Sequence, residues 1–183
     1  FVAVATSGAT RVLTSPDGIT WTLRSAASAS TWQSVTWAPS LGLLVAVGVA
    51  GVIMTSVDGI NWTSRTGPNT NNWKSVTWAP SLNLFVAVSQ NGIGNRVMTS
   101  PDGVNWTART SAADLIWEGV VWSPTLSLFV AVASTGTLNR IMTSSNGINW
   151  TTRTTPVDRS WRGPAWSTSI GKFVVVDNGG SGN

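Results

Sequence analysis

At 183 residues the chain is long enough for one well-buried domain. Its net charge of +4 comes from 11 basic and 7 acidic residues scattered singly, so no basic run points to nucleic acid or to insertion at a membrane. With no Cys and no His, disulfides, thiolate chemistry and zinc sites drop out, and no apolar run approaches the roughly 18 residues of a membrane span.

The chain begins at Phe1, without a Met and inside a repeat, and ends at Asn183 inside another. It reads as a piece of a longer protein, or as a chain whose true ends lie elsewhere. Phe1 to Val4 matches Leu44 to Val47 and is the first predicted strand. The first turn follows in TSPDGITW, Thr14 to Trp21. The same turn returns at Thr55, Thr99 and Thr143. Trp21, Trp62, Trp106 and Trp150 are 41, 44 and 44 residues apart. Trp32, Trp73, Trp117 and Trp161 keep those steps, as do Trp37, Trp78, Trp122 and Trp166, which accounts for all 12 tryptophans. A period near 44 fits a propeller blade or a helical repeat. Helical periodicity is absent, and Val, Thr, Trp and Ile favour strands.

The second full repeat shows four predicted strands: Ser75 to Ala79, Leu84 to Val88, Arg96 to Ser100 and Asn105 to Arg109. Short turns between them make an antiparallel meander. The LFVAV strand is apolar on both faces and needs cover on both, which blades around an axis supply. The expected fold is all-β: a β-propeller of four-stranded antiparallel blades. Residues 1–183 form a single propeller domain or a segment of one. Its repeats run approximately 1–43, 44–84, 85–128 and 129–172, with a partial repeat at 173–183. The first strand near the C-terminal end, Ala165 to Ser167, is expected either to complete the N-terminal blade and close a four-bladed ring, or to belong to a larger ring closed by further blades or a second chain.

The turn Ser-x-Asp-Gly-x-x-Trp resembles the Asp-box of sialidase-like (BNR) β-propellers, shortened by one residue between Asp and Trp. It stands at Ser15, Asp17, Gly18 and Trp21; at Ser56, Asp58, Gly59 and Trp62; at Ser100, Asp102, Gly103 and Trp106; and at Ser144, Asn146, Gly147 and Trp150. In such a turn the Asp accepts amide hydrogen bonds, Gly takes a positive φ, and Ser joins the network. Asn146 makes much the same turn. The Trp is expected to return between the sheets and bury its ring. These residues are therefore structural.

The resemblance suggests sialidase, whose chemistry uses a tyrosine backed by a glutamate, an arginine triad and an aspartate acid/base. This chain has no Tyr, and Glu118 is its only Glu. Outside the turns only Asp114, Glu118, Asp158 and Asp177 remain, scattered over three repeats. The stretch Asn178 to Gly182 is glycine-rich but lacks the Lys of a phosphate loop. No catalytic residue, metal or cofactor is expected. The sequons at Asn61, Asn105 and Asn149 are explained by the residue preferences of the turn.

Binding remains. Trp32, Trp73, Trp117 and Trp161 follow polar loops, and the next residue differs each time: Gln33, Lys74, Glu118 and Arg162. Variable positions in matching repeats face solvent, so these tryptophans are expected near a rim, as shelves for sugar rings beside polar groups. The alternative is that they cap the core between blades. Trp37, Trp78, Trp122 and Trp166 are expected in the core, and Arg96 and Arg140 at the surface. The functional expectation is a non-enzymatic module that binds a glycan or another cell-surface ligand, extracellular or on a virion. The alternatives are a protein-interaction scaffold and a non-catalytic part of a sialidase-like glycosidase.

Overall fold

The computed structural model describes residues 1–179. Residues 180–183, with the end of the partial repeat and of the glycine-rich stretch, lie outside the described residues. The described residues form five antiparallel sheets in sequence order. The first has three strands, β1 (Val2–Val4), β2 (Val12–Thr14) and β3 (Thr22–Arg24). The second has four, β4 (Trp32–Ala38), β5 (Leu43–Gly48), β6 (Val52–Ser56) and β7 (Thr63–Thr66). The third holds β8 (Trp73–Ala79), β9 (Leu84–Ser89), β10 (Val97–Ser100) and β11 (Thr107–Arg109). The fourth holds β12 (Trp117–Ser123), β13 (Leu128–Ala133), β14 (Ile141–Ser144) and β15 (Thr151–Arg153). The fifth has two, β16 (Trp161–Ser167) and β17 (Lys172–Asp177).

Each sheet is one blade of a β-propeller. The inner strands β4, β8, β12 and β16 lie side by side, and each is followed outward by the rest of its blade. Alternation along the second strand decides the packing. Phe85 and Ala87 of β9 meet Val45 and Val47 of the preceding blade, while Val86 and Val88 meet Phe129 and Ala131 of the next. A strand apolar on both faces is thus covered on both.

The four-bladed closure does not form. β16 pairs with β17 and packs beside β12, and β1 pairs only with β2. The reason is local: Phe173 to Val176 continues from β16 through a tight turn, so the short-range partner wins over the distant N-terminal edge. The first blade therefore has no inner strand among the described residues, and this exposes Trp37. Trp78 and Trp122 are buried, with ring centroids 4.4 and 4.5 Å from Phe85 and Phe129. Trp37 would face the missing strand and is 45% exposed.

The Ser-x-Asp-Gly turns join third and fourth strands at one end of the blades. Asp17 Oδ1 accepts the amides of Ile19 and Thr20 at 2.8 Å each, and Ser15 Oγ accepts that of Gly18 at 2.8 Å. The turns at Asp58 and Asp102 repeat these distances, and Asn146 accepts the amides of Ile148 and Asn149 at 2.9 Å. The glycines have φ of 72–77°. Their tryptophans only half enter the space between sheets. Each indole donates to the carbonyl of its own turn glycine, and Trp106 and Trp150 lie 6.1 Å from Phe85 and Phe129. That hydrogen bond holds the ring at the mouth of the gap. Among the described residues no helix is long and apolar enough to cross a membrane.

Candidate functional site

The opposite end of the blades carries the loops between second and third strands and those between blades. Arginines interlock them. Arg96 Nη1 donates to Gln90 O at 3.0 Å and, across to the next blade's entry loop, to Leu115 O at 2.8 Å. Its Nε lies 3.6 Å from Asp114, whose carboxylate also takes the amide of Gly94 at 2.8 Å. Arg140 repeats the arrangement with Gly136, Ser134 and Asp158. Their side chains are about 15% exposed, so Arg96 and Arg140 are not the surface residues expected. Five guanidinium donors can satisfy several loop carbonyls at once, which draws the arginine inward.

The inter-blade loops also cover the tryptophans that begin each inner strand. Trp32, Trp73 and Trp117 are completely buried. Trp32 Nε1 donates to Ser28 O at 3.2 Å and Trp117 Nε1 to Ala113 O at 3.1 Å, each in the loop just before it. Their ring faces pack in the interfaces between blades and offer nothing to a sugar. The expected rim of tryptophan shelves is therefore corrected for these three. Polar loops precede them because those loops form the lid. Trp161 is partly buried.

The residues that follow these tryptophans come together. Gln33, Lys74, Glu118 and Arg162 line one open pocket of about 350 Å³ where the inner strands converge. A β-bulge puts three of them there. Trp32 pairs with Gly48 and Ser34 with Val47, leaving Gln33 as the extra residue; Lys74 and Glu118 sit in the same bulge. A bulge turns a side chain out of the sheet's alternation. In the fifth blade the irregularity moves to Gly163 and Pro164, just after Arg162.

Below these side chains the inner strands are stitched to one another. Ser34 Oγ accepts the amide of Val76, and Ser75 Oγ that of Val120, both at 3.2 Å. At the third junction the serine is replaced by Gly119, because Pro164 packs where a Cβ would stand.

The charges are arranged unevenly. Glu118 has a side chain only 3% exposed, with three partners: Arg162 Nη1 at 2.8 Å, Ser134 Oγ at 2.9 Å and Gln90 Nε2 at 3.2 Å. Lys74 Nζ donates to Gln33 Oε1 at 2.8 Å and has no carboxylate within ion-pair distance among the described residues. The pocket thus holds one saturated acid, one paired cation and one cation with spare donors. A second cavity, of about 390 Å³, lies against the turn of Asn146 and is lined by Asn149, Thr151 and Arg153.

No family model matches the chain, and no curated protein matches it. Solved structures do. A virginiamycin B lyase from Staphylococcus aureus superposes with a TM-score of 0.75 at 12% identity, over 96% of this chain and 68% of that one. A chain of a nidogen/laminin complex gives 0.70 at 12% identity, over 96% and 69%. At such identity the likeness speaks for architecture alone, and with the blades described above it establishes the chain as a β-propeller.

Proposed function

We propose that the chain is a non-catalytic binding propeller whose axial pocket takes a polar, hydroxyl-rich ligand such as a glycan. One observation carries the reading. Four side chains that differ in chemistry, at one repeat position, converge on a single open pocket above a rigid stack of inner strands. Repeats that keep the scaffold and vary the bulge residue are suited to recognition. Amide, ammonium, carboxylate and guanidinium groups within one pocket give both donors and acceptors for sugar hydroxyls.

The absence of catalysis belongs to this proposal. The chain has no Tyr, and its single Glu is held by three partners, which leaves it poorly placed to move a proton. Kinship with Asp-box propellers is supported by the Ser-x-Asp-Gly turns and their hydrogen bonds. An extracellular or virion-surface setting rests on the cysteine-free, Ser/Thr/Asn-rich composition and on the ligand class.

The test is a glycan panel probed with the intact chain and with Gln33→Ala/Lys74→Ala. The expected result is binding to a subset of glycans by the intact chain and loss in the variant at unchanged melting temperature. A chain that binds no glycan, or a variant that binds as well as its parent, removes the reading.

A further inference from the structure

Three of the loops between second and third strands share one turn. Arg11 Nε donates to Gly8 O at 2.9 Å, Arg96 Nε to Gly92 O at 2.8 Å and Arg140 Nε to Gly136 O at 2.8 Å. The three glycines have φ of 103°, 106° and 113°, where a side chain is strained. A Cβ on Gly92 would also meet the side chains of Asn95 and Asn71. The fold therefore fixes glycine at position 92.

The residue before that glycine is Ser7, Asn91 or Thr135. In the fourth blade Thr135 Oγ1 accepts the amide of Ile116 at 2.9 Å, and in the third Asn91 Oδ1 accepts that of Asn72 at 2.6 Å. Both tie the loop to the segment that enters the same blade. The third blade does it with a carboxamide, and so places an exposed Asn directly before a glycine that the fold requires.

An Asn-Gly pair can react within itself. The glycine nitrogen, once its proton passes to hydroxide, attacks the Asn Cγ. The new N–C bond closes a cyclic imide, the Cγ–Nδ2 bond breaks, and ammonia leaves. Water then opens the imide at either carbonyl, giving aspartate or isoaspartate. The chain holds two more such pairs, Asn146-Gly147 and Asn178-Gly179. There the attacking nitrogen is engaged: Gly147 N donates to Ser144 Oγ at 2.8 Å and Gly179 N to Asp177 Oδ1 at 3.1 Å. Among the described residues Gly92 N has no acceptor, nor has Asn91 Nδ2, the leaving nitrogen. The Asn72 amide on Asn91 Oδ1 stabilises the oxygen on which negative charge develops during the attack.

We infer that Asn91 is a self-modification site, at which the folded chain converts an asparagine to aspartate or isoaspartate beside the axial pocket. The position gives the change a consequence. Gln90, the preceding residue, donates to Glu118 Oε2 at 3.2 Å, and its carbonyl receives Arg96 Nη1 at 3.0 Å. Aspartate keeps the acceptor for Asn72 and adds a negative charge. Isoaspartate lengthens the backbone between Gln90 and Gly92 by one carbon, so Arg96 loses its simultaneous hold on their two carbonyls, and Glu118 loses the Gln90 amide.

The test incubates the intact chain at mildly alkaline pH, folded and in urea, and follows its peptides by mass spectrometry. In the folded chain the peptide carrying Asn91 is expected to gain about 1 Da, about fivefold or more faster than the peptide carrying Asn146, whose glycine must first release Ser144. In urea the two rates are expected to converge, because their difference lies in the fold. Ser144→Ala, with folding verified by circular dichroism, frees the Gly147 amide and is expected to speed conversion at Asn146 in the folded chain. An Asn91 peptide that keeps its mass, or that converts no faster than the Asn146 peptide, overturns the inference. The same order of rates in urea, or no acceleration at Asn146 in folded Ser144→Ala, overturns it as well.

Discussion

Lys74 Nζ lies 2.8 Å from Gln33 Oε1, and both side chains leave the same bulge position on neighbouring inner strands. The amide orients the ammonium without neutralising it. Lys74 keeps two further donors for a ligand. Replacing Lys74 by Gln is expected to weaken glycan binding by about tenfold or more, since a hydrogen bond from a charged group contributes roughly 1.5–3 kcal/mol. Stability should move by no more than about 0.5 kcal/mol, as for other half-exposed substitutions. Titration calorimetry and chemical denaturation separate the two effects.

Glu118 and Arg162 are coupled differently. The carboxylate is buried, whereas the guanidinium is 38% exposed. Removing the acid strands Gln90, Ser134 and Arg162 together. Breaking a fully buried pair costs about 3–5 kcal/mol, and the solvent reaching Arg162 places Glu118→Ala at the lower end. Arg162→Ala should cost the same or less, because Glu118 retains two hydrogen-bond donors. A double-mutant cycle by urea unfolding measures the coupling; a value near zero would sink this account.

The tryptophans divide by burial rather than by place in the repeat. Trp73→Ala should destabilise by about 3–5 kcal/mol, the range for emptying a buried aromatic site. Trp37→Ala, at an exposed position, should cost about 1 kcal/mol or less. Equal losses in thermal denaturation would show that Trp37 is covered in solution.

The acid response follows from the turns. The amide of Thr20, then that of Ile19 and the Ser15 hydroxyl, hold Asp17 down at about 2, below its ordinary 3.8. The amides of Asn61 and Ile60 push Asp58 lower still. At Asp102 burial pulls upward, but hydrogen bonds from Asn105, Val104 and Ser100 outweigh it and the value falls to about 2. Folded values below unfolded ones mean stabilisation that is present above 3.8 and is lost as pH falls toward 2. The triple variant Asp17→Asn/Asp58→Asn/Asp102→Asn copies the Asn146 turn. Its melting temperature should change less between pH 5 and about pH 2 than the parent's, by the contribution of the three linked carboxylates.

The blades were legible because tryptophan spacing and the LFVAV strand carry the repeat and its two-sided burial. The site was legible only as a row of varying residues. Nothing in Trp32-Gln33-Ser34 marks the bulge, since an extra residue in one strand leaves no gap in a chain that repeats it in three successive blades. The fate of Trp32, Trp73 and Trp117 turned on whether the preceding loop folds back over the ring. That depends on contacts such as Arg96 to Leu115, between segments 19 residues apart in different blades. Trp37 shows the same limit: its burial depends on the blade beside it, which local sequence does not report.

The third inner junction tests how far the repeat is interchangeable. Position 119 is Gly where the two preceding blades have Ser34 and Ser75, and position 164 is Pro where they have Val35 and Val76. A Cβ on Gly119 would collide with the Pro164 ring. The serine of the other blades accepts an amide hydrogen bond, and Pro164 has no amide proton to give. Gly and Pro therefore compensate for each other. Gly119→Ser, although it restores the residue used elsewhere, should destabilise by about 1–3 kcal/mol through overpacking. Pro164→Val alone should leave an amide without its serine and cost about 1 kcal/mol. The pair together should recover most of the loss, because the hydroxyl introduced at position 119 can then accept the amide at position 164, as Ser34 and Ser75 accept theirs. Chemical denaturation of the three variants decides it: strictly additive losses would mean that the two positions are independent and the substitution pattern is accidental.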